Sequence, residues 1–89
     1  MEKKFLILES LIKEYIKHPA PISSSYLQRK LELNLSSATI RYYFKQLTEH
    51  GYLIKQHVSS GRIPSDMALK IYWRQKLKTE SFSVSNIQN

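Results

Sequence analysis

Apolar residues at the start of the chain recur at three- and four-residue steps. Phe5, Leu8, Leu11, Ile12 and Tyr15 form one stripe, with Lys3, Glu9, Lys13 and Lys17 left outside it, and this spacing predicts a helix over Glu2–Lys17. Glu2 at the positive end of the macrodipole, with Lys13 and Lys17 at the negative end, favours the same assignment. His18-Pro19-Ala20-Pro21 stops the helix, because proline lacks the amide and pushes the preceding residue out of helical geometry. Ile22 then has room for a short extended pairing before Ser23-Ser24-Ser25 offers an N-cap.

A second, short helix follows from Ser24 to about Leu33, with Leu27 and Leu31 inward. Asn34-Leu35-Ser36 makes a tight connection in which Ser36 caps the next helix. That third helix, Ser37 to His50, buries Ile40, Phe44 and Leu47, carries Tyr43 on its flank and ends at Gly51 as a C′ residue. The period then changes. Tyr52–Val58 is β-prone, Ser59-Ser60-Gly61 is a turn cluster, and Arg62-Ile63 returns antiparallel until Pro64 ends the pairing. Ser65 and Asp66 cap a fourth helix to about Lys78, with Leu69, Tyr72, Trp73 and Leu77 on one face. Residues 79–89 read as a frayed or linker-like tail. The order helix, helix, turn, helix, hairpin, helix predicts a mainly α winged helix-turn-helix over residues 1–78.

Composition narrows the chemistry. Among 89 residues there is no cysteine, which removes disulfides, thiolate zinc sites and thiol nucleophiles. His18, His50 and His57 are too far apart for ligation on one helix, the seven carboxylates are scattered, and two glycines make no phosphate-cradling loop. No catalytic constellation, metal set or cofactor motif emerges, so the chain does not read as an enzyme. The start resembles no secretion signal and no apolar run reaches the roughly 20 residues that span a bilayer, so a cytoplasmic protein is expected.

Charge is informative once divided. The formal net charge is +7, of which residues 35–78 hold eight basic and two acidic side chains. A basic half within one small domain suits a polyanion, because each neutralised phosphate releases counterions. On a helical wheel stepped at about 100° per residue, Ala38, Tyr42, Lys45 and Glu49 point within about 40° of the direction opposite Ile40, with Thr39 and Arg41 on the shoulders. Ser36, Ser37 and Thr39 can bond phosphate or base edges, Arg41 can fork onto guanine or grip a phosphate, and Lys45 suits a phosphate. Lys55, His57 and Arg62 flank a turn whose Ser59, Ser60 and Gly61 allow close backbone approach, as an arm reaching a minor groove would need. The competing reading is a winged helix used for protein contact, docking through Leu69, Trp73 and Phe82.

Two blocks carry a family resemblance: Ser-Ser-Ala-Thr-Ile-Arg at 36–41, and His-Val-Ser-Ser-Gly-Arg-Ile-Pro at 57–64. In this order and at this separation they resemble the N-terminal winged-helix DNA-binding domain of the heat-inducible transcription repressor HrcA family. Pro21-Ile22-Ser23-Ser24 resembles the family's approach to helix two, which adds Ser24 to the candidate DNA contacts. The resemblance implies a repressor that binds an inverted repeat ahead of chaperonin and other heat-shock genes. It places Ser36, Ser37, Thr39 and Arg41 at the groove, and Ser59, Ser60, Gly61 and Arg62 at the wing tip. Tyr42 stands where the family has Asn, Ser23 where it has Gly, and Ser60 where it has Ala. Family members continue into sensor-like and dimerisation segments, so homodimer formation and chaperonin dependence are implied by the family alone.

Overall fold

In a computed structural model the chain is described over residues 3–31, 34–56 and 61–88. Its elements run α1 (Lys3–Lys17), α2 (Ser24–Leu31), α3 (Ser37–Glu49), β1 (Leu53–Lys55), β2 (Arg62–Pro64) and α4 (Asp66–Gln88). This is the winged helix-turn-helix order that the patterning predicts.

Each boundary has a local cause. Ser23 caps α2 by accepting the Tyr26 amide at 3.1 Å. Ser36 does the same for α3, its extended backbone turning its hydroxyl toward the Thr39 amide at 3.1 Å. Gly51 closes α3 at φ +84°, a conformation that L side chains rarely adopt. Ser65 joins two elements: its hydroxyl donates to the Gly51 carbonyl at 2.7 Å and accepts the Ala68 amide at 3.2 Å. The end of α3 is thereby tied to the start of α4.

The core is one cluster. Ile7, Leu8, Leu11 and Ile12 of α1 meet Ile22, Leu27, Ile40, Phe44, Leu47, Leu53 and Ala68. The buried stripe of α1 keeps the expected Leu8, Leu11 and Ile12 but differs at its start: Ile7 is fully buried and Phe5 is 39% exposed. Glu14 is also buried, where the Tyr26 hydroxyl donates to its Oε1 at 2.9 Å and Lys17 Nζ stands 3.7 Å from Oε2. That hydrogen bond, with desolvation behind it, raises the Tyr26 phenol above its ordinary value.

Two further differences concern the hairpin and the last helix. The pairing spans three residues per strand, in the register Leu53↔Pro64, Ile54↔Ile63 and Lys55↔Arg62, so Pro64 lies inside the ladder's last pair. Pro64 is tolerated at this strand end because it has no amide to leave unpaired. Ile22 adds the extended pairing expected of it, bridging antiparallel to Arg62. The helical backbone of α4 passes Lys78 and continues to Gln88, since no glycine or proline follows Pro64 to break it. Among the described residues, no helix is long and apolar enough to cross a membrane.

Candidate nucleic-acid interface

The surface of α3 that faces away from Ile40, Phe44 and Leu47 is open. Arg41, Tyr42 and Lys45 are exposed, Tyr42 to 58%. Gln46 Nε2 donates to the Tyr42 hydroxyl at 3.1 Å, and the Tyr42 and Tyr43 rings stand 6.0 Å apart, so the phenol is held against its own helix. At the start of α3 the hydroxyls of Ser36 and Thr39 are 3.0 Å apart, with Ser37 half-buried beside them. These small polar groups surround the positive end of the helix dipole.

The hairpin completes the surface. An open groove of about 510 Å³ runs between α3 and the wing, lined by Ala38, Arg41, Tyr42, Lys45, Lys55 and Arg62. Four of the six lining residues are cationic and, among the described residues, none is acidic. Like charges converging in a concavity raise the local potential for a polyanion above that of the same charges spread over a convex surface. Two elements distant in sequence thus build one positive channel.

The expected contacts do not all share this placement. Arg41, Tyr42, Lys45 and Lys55 meet in the groove, while Ser36, Ser37 and Thr39 sit at the α3 start. His57, Ser59 and Ser60 lie outside the described residues. Ser24 is a correction: it is only 9% exposed, buried as α2 packs Leu27 into the core. Gly61 is also buried, and the close approach it permits is to its own chain. A Cβ there would come within 2.9 Å of the Pro21 Cβ and 3.1 Å of the Ile22 nitrogen.

Arg62 is held on several sides. Its backbone exchanges two 2.9 Å hydrogen bonds with Ile22, and its Nε donates to Thr48 Oγ1 at 3.1 Å. Its guanidinium carbon lies 6.0 Å from the Phe44 ring centroid. Burial lowers the guanidinium from its usual value, though an arginine stays charged. Thr48 has no signal in the sequence: on a wheel it is one more polar flank, and its role depends on where β2 lands.

No protein-family profile matches the chain. Curated relatives do. The heat-inducible transcription repressor HrcA of Acetivibrio thermocellus is 44% identical over 86 residues, covering 97% of this chain and 24% of the relative. That of Mycoplasma pneumoniae is 43% identical over 82 residues, covering 92% and 23%. That of Protochlamydia amoebophila is 47% identical over 73 residues, covering 82% and 19%. The chain therefore spans about a quarter or less of the length of these relatives. A crystal structure of a hypothetical protein superposes with a TM-score of 0.81 at 34% identity, over 91% of this chain and 25% of its own.

Proposed function

Because this chain belongs to the HrcA family of heat-inducible transcription repressors and folds as a winged helix, we propose that it binds double-stranded DNA as the operator-reading part of a heat-shock repressor. α3 enters the major groove with Arg41 and Tyr42 toward base edges and Lys45 on the backbone. Ser36, Ser37 and Thr39 anchor a phosphate at the helix start, Lys55 carries the wing to the flanking backbone, and His57, Ser59 and Ser60 are further candidate contacts. The operator is an inverted repeat read by a homodimer, each copy taking one half-site. Residues 1–78 are the binding unit and 79–89 a connecting segment. Its place of work is the cytoplasm, at the nucleoid, and the chaperonin is the regulatory partner that the family suggests.

One observation carries the reading: the groove in which Arg41, Lys45, Lys55 and Arg62 converge, with no acidic side chain in its lining among the described residues. Fluorescence anisotropy on inverted-repeat and scrambled duplexes, across a salt series, tests it. With about five phosphates neutralised, log K should fall against log salt with a slope near −4.5, and the inverted repeat should bind more tightly. A flat salt response, or equal affinity for both duplexes, would refute sequence-specific binding.

A second reading has its own observation. Trp73 and Leu77 of α4 are 41% and 56% exposed, which suits a protein-docking face. A tight dimer that survives high salt and has no affinity for duplex DNA would favour it.

A further inference from the structure

Among the described residues, Arg62 ties the wing to two other segments at one point. Arg62 opens β2, pairs with Lys55 across the hairpin, bridges to Ile22 in the α1–α2 connection, and reaches Thr48 near the end of α3. Backbone and side chain thus tie three segments to one point.

Thr48 is suited to its part. A hydroxyl has one hydrogen to donate, and Thr48 spends it on the Phe44 carbonyl at 2.7 Å. Its lone pairs are thereby oriented away from the helix axis, where one accepts the Arg62 Nε–H at 3.1 Å. The acceptor is therefore fixed in direction before the arginine arrives. Phe44, whose carbonyl sets that direction, also lies under the guanidinium, so the cation is positioned by one turn of α3 from below and from the side.

We propose that Thr48 and Arg62 form a joint that sets the angle between the wing and α3, and that this joint determines DNA specificity by positioning rather than by contact. The proposal rests on the duplex-binding reading above. Lys55 stands opposite Arg62 in the ladder, so a shift of Arg62 moves Lys55 relative to Arg41 and Lys45. Two arms that must engage one duplex simultaneously lose discrimination when their spacing loosens, even with every contacting side chain present. Arg62 accordingly serves the interface chiefly as a positioning residue, and Thr48 does so without touching DNA.

The test uses Thr48→Val, Thr48→Ser, Arg62→Lys and Arg62→Ala in the 89-residue chain. Val removes the acceptor at constant shape, Ser restores it, and Lys keeps the charge but loses the directed Nε–H. Residual dipolar couplings of the Lys55 and Ile63 amides, referred to those of α3, report the wing angle without DNA. Anisotropy reports the ratio of cognate to scrambled affinity and its salt slope. Thr48→Val and Arg62→Lys should change the couplings and lower the ratio by about tenfold, as the loss of one charge-assisted hydrogen bond would. The salt slope should stay that of the native chain, and Thr48→Ser should retain the native ratio. A merely stabilising contact would lower the melting temperature yet leave couplings and ratio unchanged in the folded protein, which overturns the proposal. So would a native ratio in Arg62→Lys with a slope reduced by about one in Arg62→Ala, the mark of a phosphate contact. Failure of the native chain to bind any duplex refutes the duplex reading and the specificity role with it, while unchanged couplings refute the joint itself.

Discussion

Replacing Gly61 by alanine probes whether this glycine serves the fold. A Cβ at that position would stand 2.9 Å from the Pro21 Cβ and 3.1 Å from the Ile22 nitrogen. Carbon–carbon contacts are favourable near 3.5–4.0 Å, so the first distance is repulsive. The pyrrolidine ring has no rotamer to retreat into, and the strand must move instead. Moving it stretches the paired bonds between Ile22 and Arg62, both now 2.9 Å. Overpacking in such places costs about 1–3 kcal/mol, and weakening two backbone bonds falls in the same range. The two relieve one another and do not add, so we expect about 2–3 kcal/mol. At about 4–8 °C per kcal/mol for a domain of this size, the melting temperature followed by circular dichroism should fall by about 8–24 °C. Gly51→Ala is the control, because its nearest neighbour is Met67 Cε at 3.6 Å and its cost comes from φ +84° alone. Asparagine tolerates left-handed backbone, so it should recover stability at position 51 and be worse than alanine at 61. A Gly61→Ala variant that melts like the native chain but loses duplex affinity would refute the steric argument, making the glycine a DNA-approach residue.

Other outcomes follow from the same geometry. Ser36→Ala should lower stability by about 1 kcal/mol in denaturant titration, through loss of the cap on the Thr39 amide. The raised Tyr26 phenol holds its proton more tightly folded than unfolded, so its contribution is complete below pH of about 10 and is lost as pH rises through the folded value. Tyr26→Phe should therefore flatten the alkaline fall in melting temperature, and an unchanged alkaline limb would refute the assignment. Arg41→Ala should cost about 1–3 kcal/mol on the inverted repeat and less on scrambled DNA, whereas Lys45→Ala should weaken both alike and reduce the salt slope by about one. Anisotropy titrations separate the two.

The parts of this structure legible in sequence are those decided locally. Ile40, Phe44 and Leu47 lie on one face of an unbroken helix whose other face is polar, so only one orientation of α3 buries its apolar atoms. Caps and the C′ glycine are chosen by hydrogen bonds within four residues. In α1 the spacing identifies Leu8, Leu11 and Ile12 as buried, while the position of the covering elements adds Ile7 and leaves Phe5 at the edge. Arg62 looked like an exposed wing cation because the bridge to Ile22 and the reach to Thr48 are contacts across forty and fourteen residues. The burial of Ser24 is likewise set by packing, since it depends on how α2 seats Leu27. Local chemistry identified the open face of α3; only packing reveals which of the neighbouring cations face it freely.

The bridge at Ile22 also closes a hazard that small sheets carry. A free strand edge is a row of unpaired donors and acceptors on which another chain can add itself and start a fibril. On β2 the amide and carbonyl of Arg62 are already taken by Ile22, so that edge offers no template for growth. The opposite strand is three residues long and ends in Lys55, which repels an approaching copy. Copies of this domain brought close together thus stay separate, without their wings knitting into one sheet.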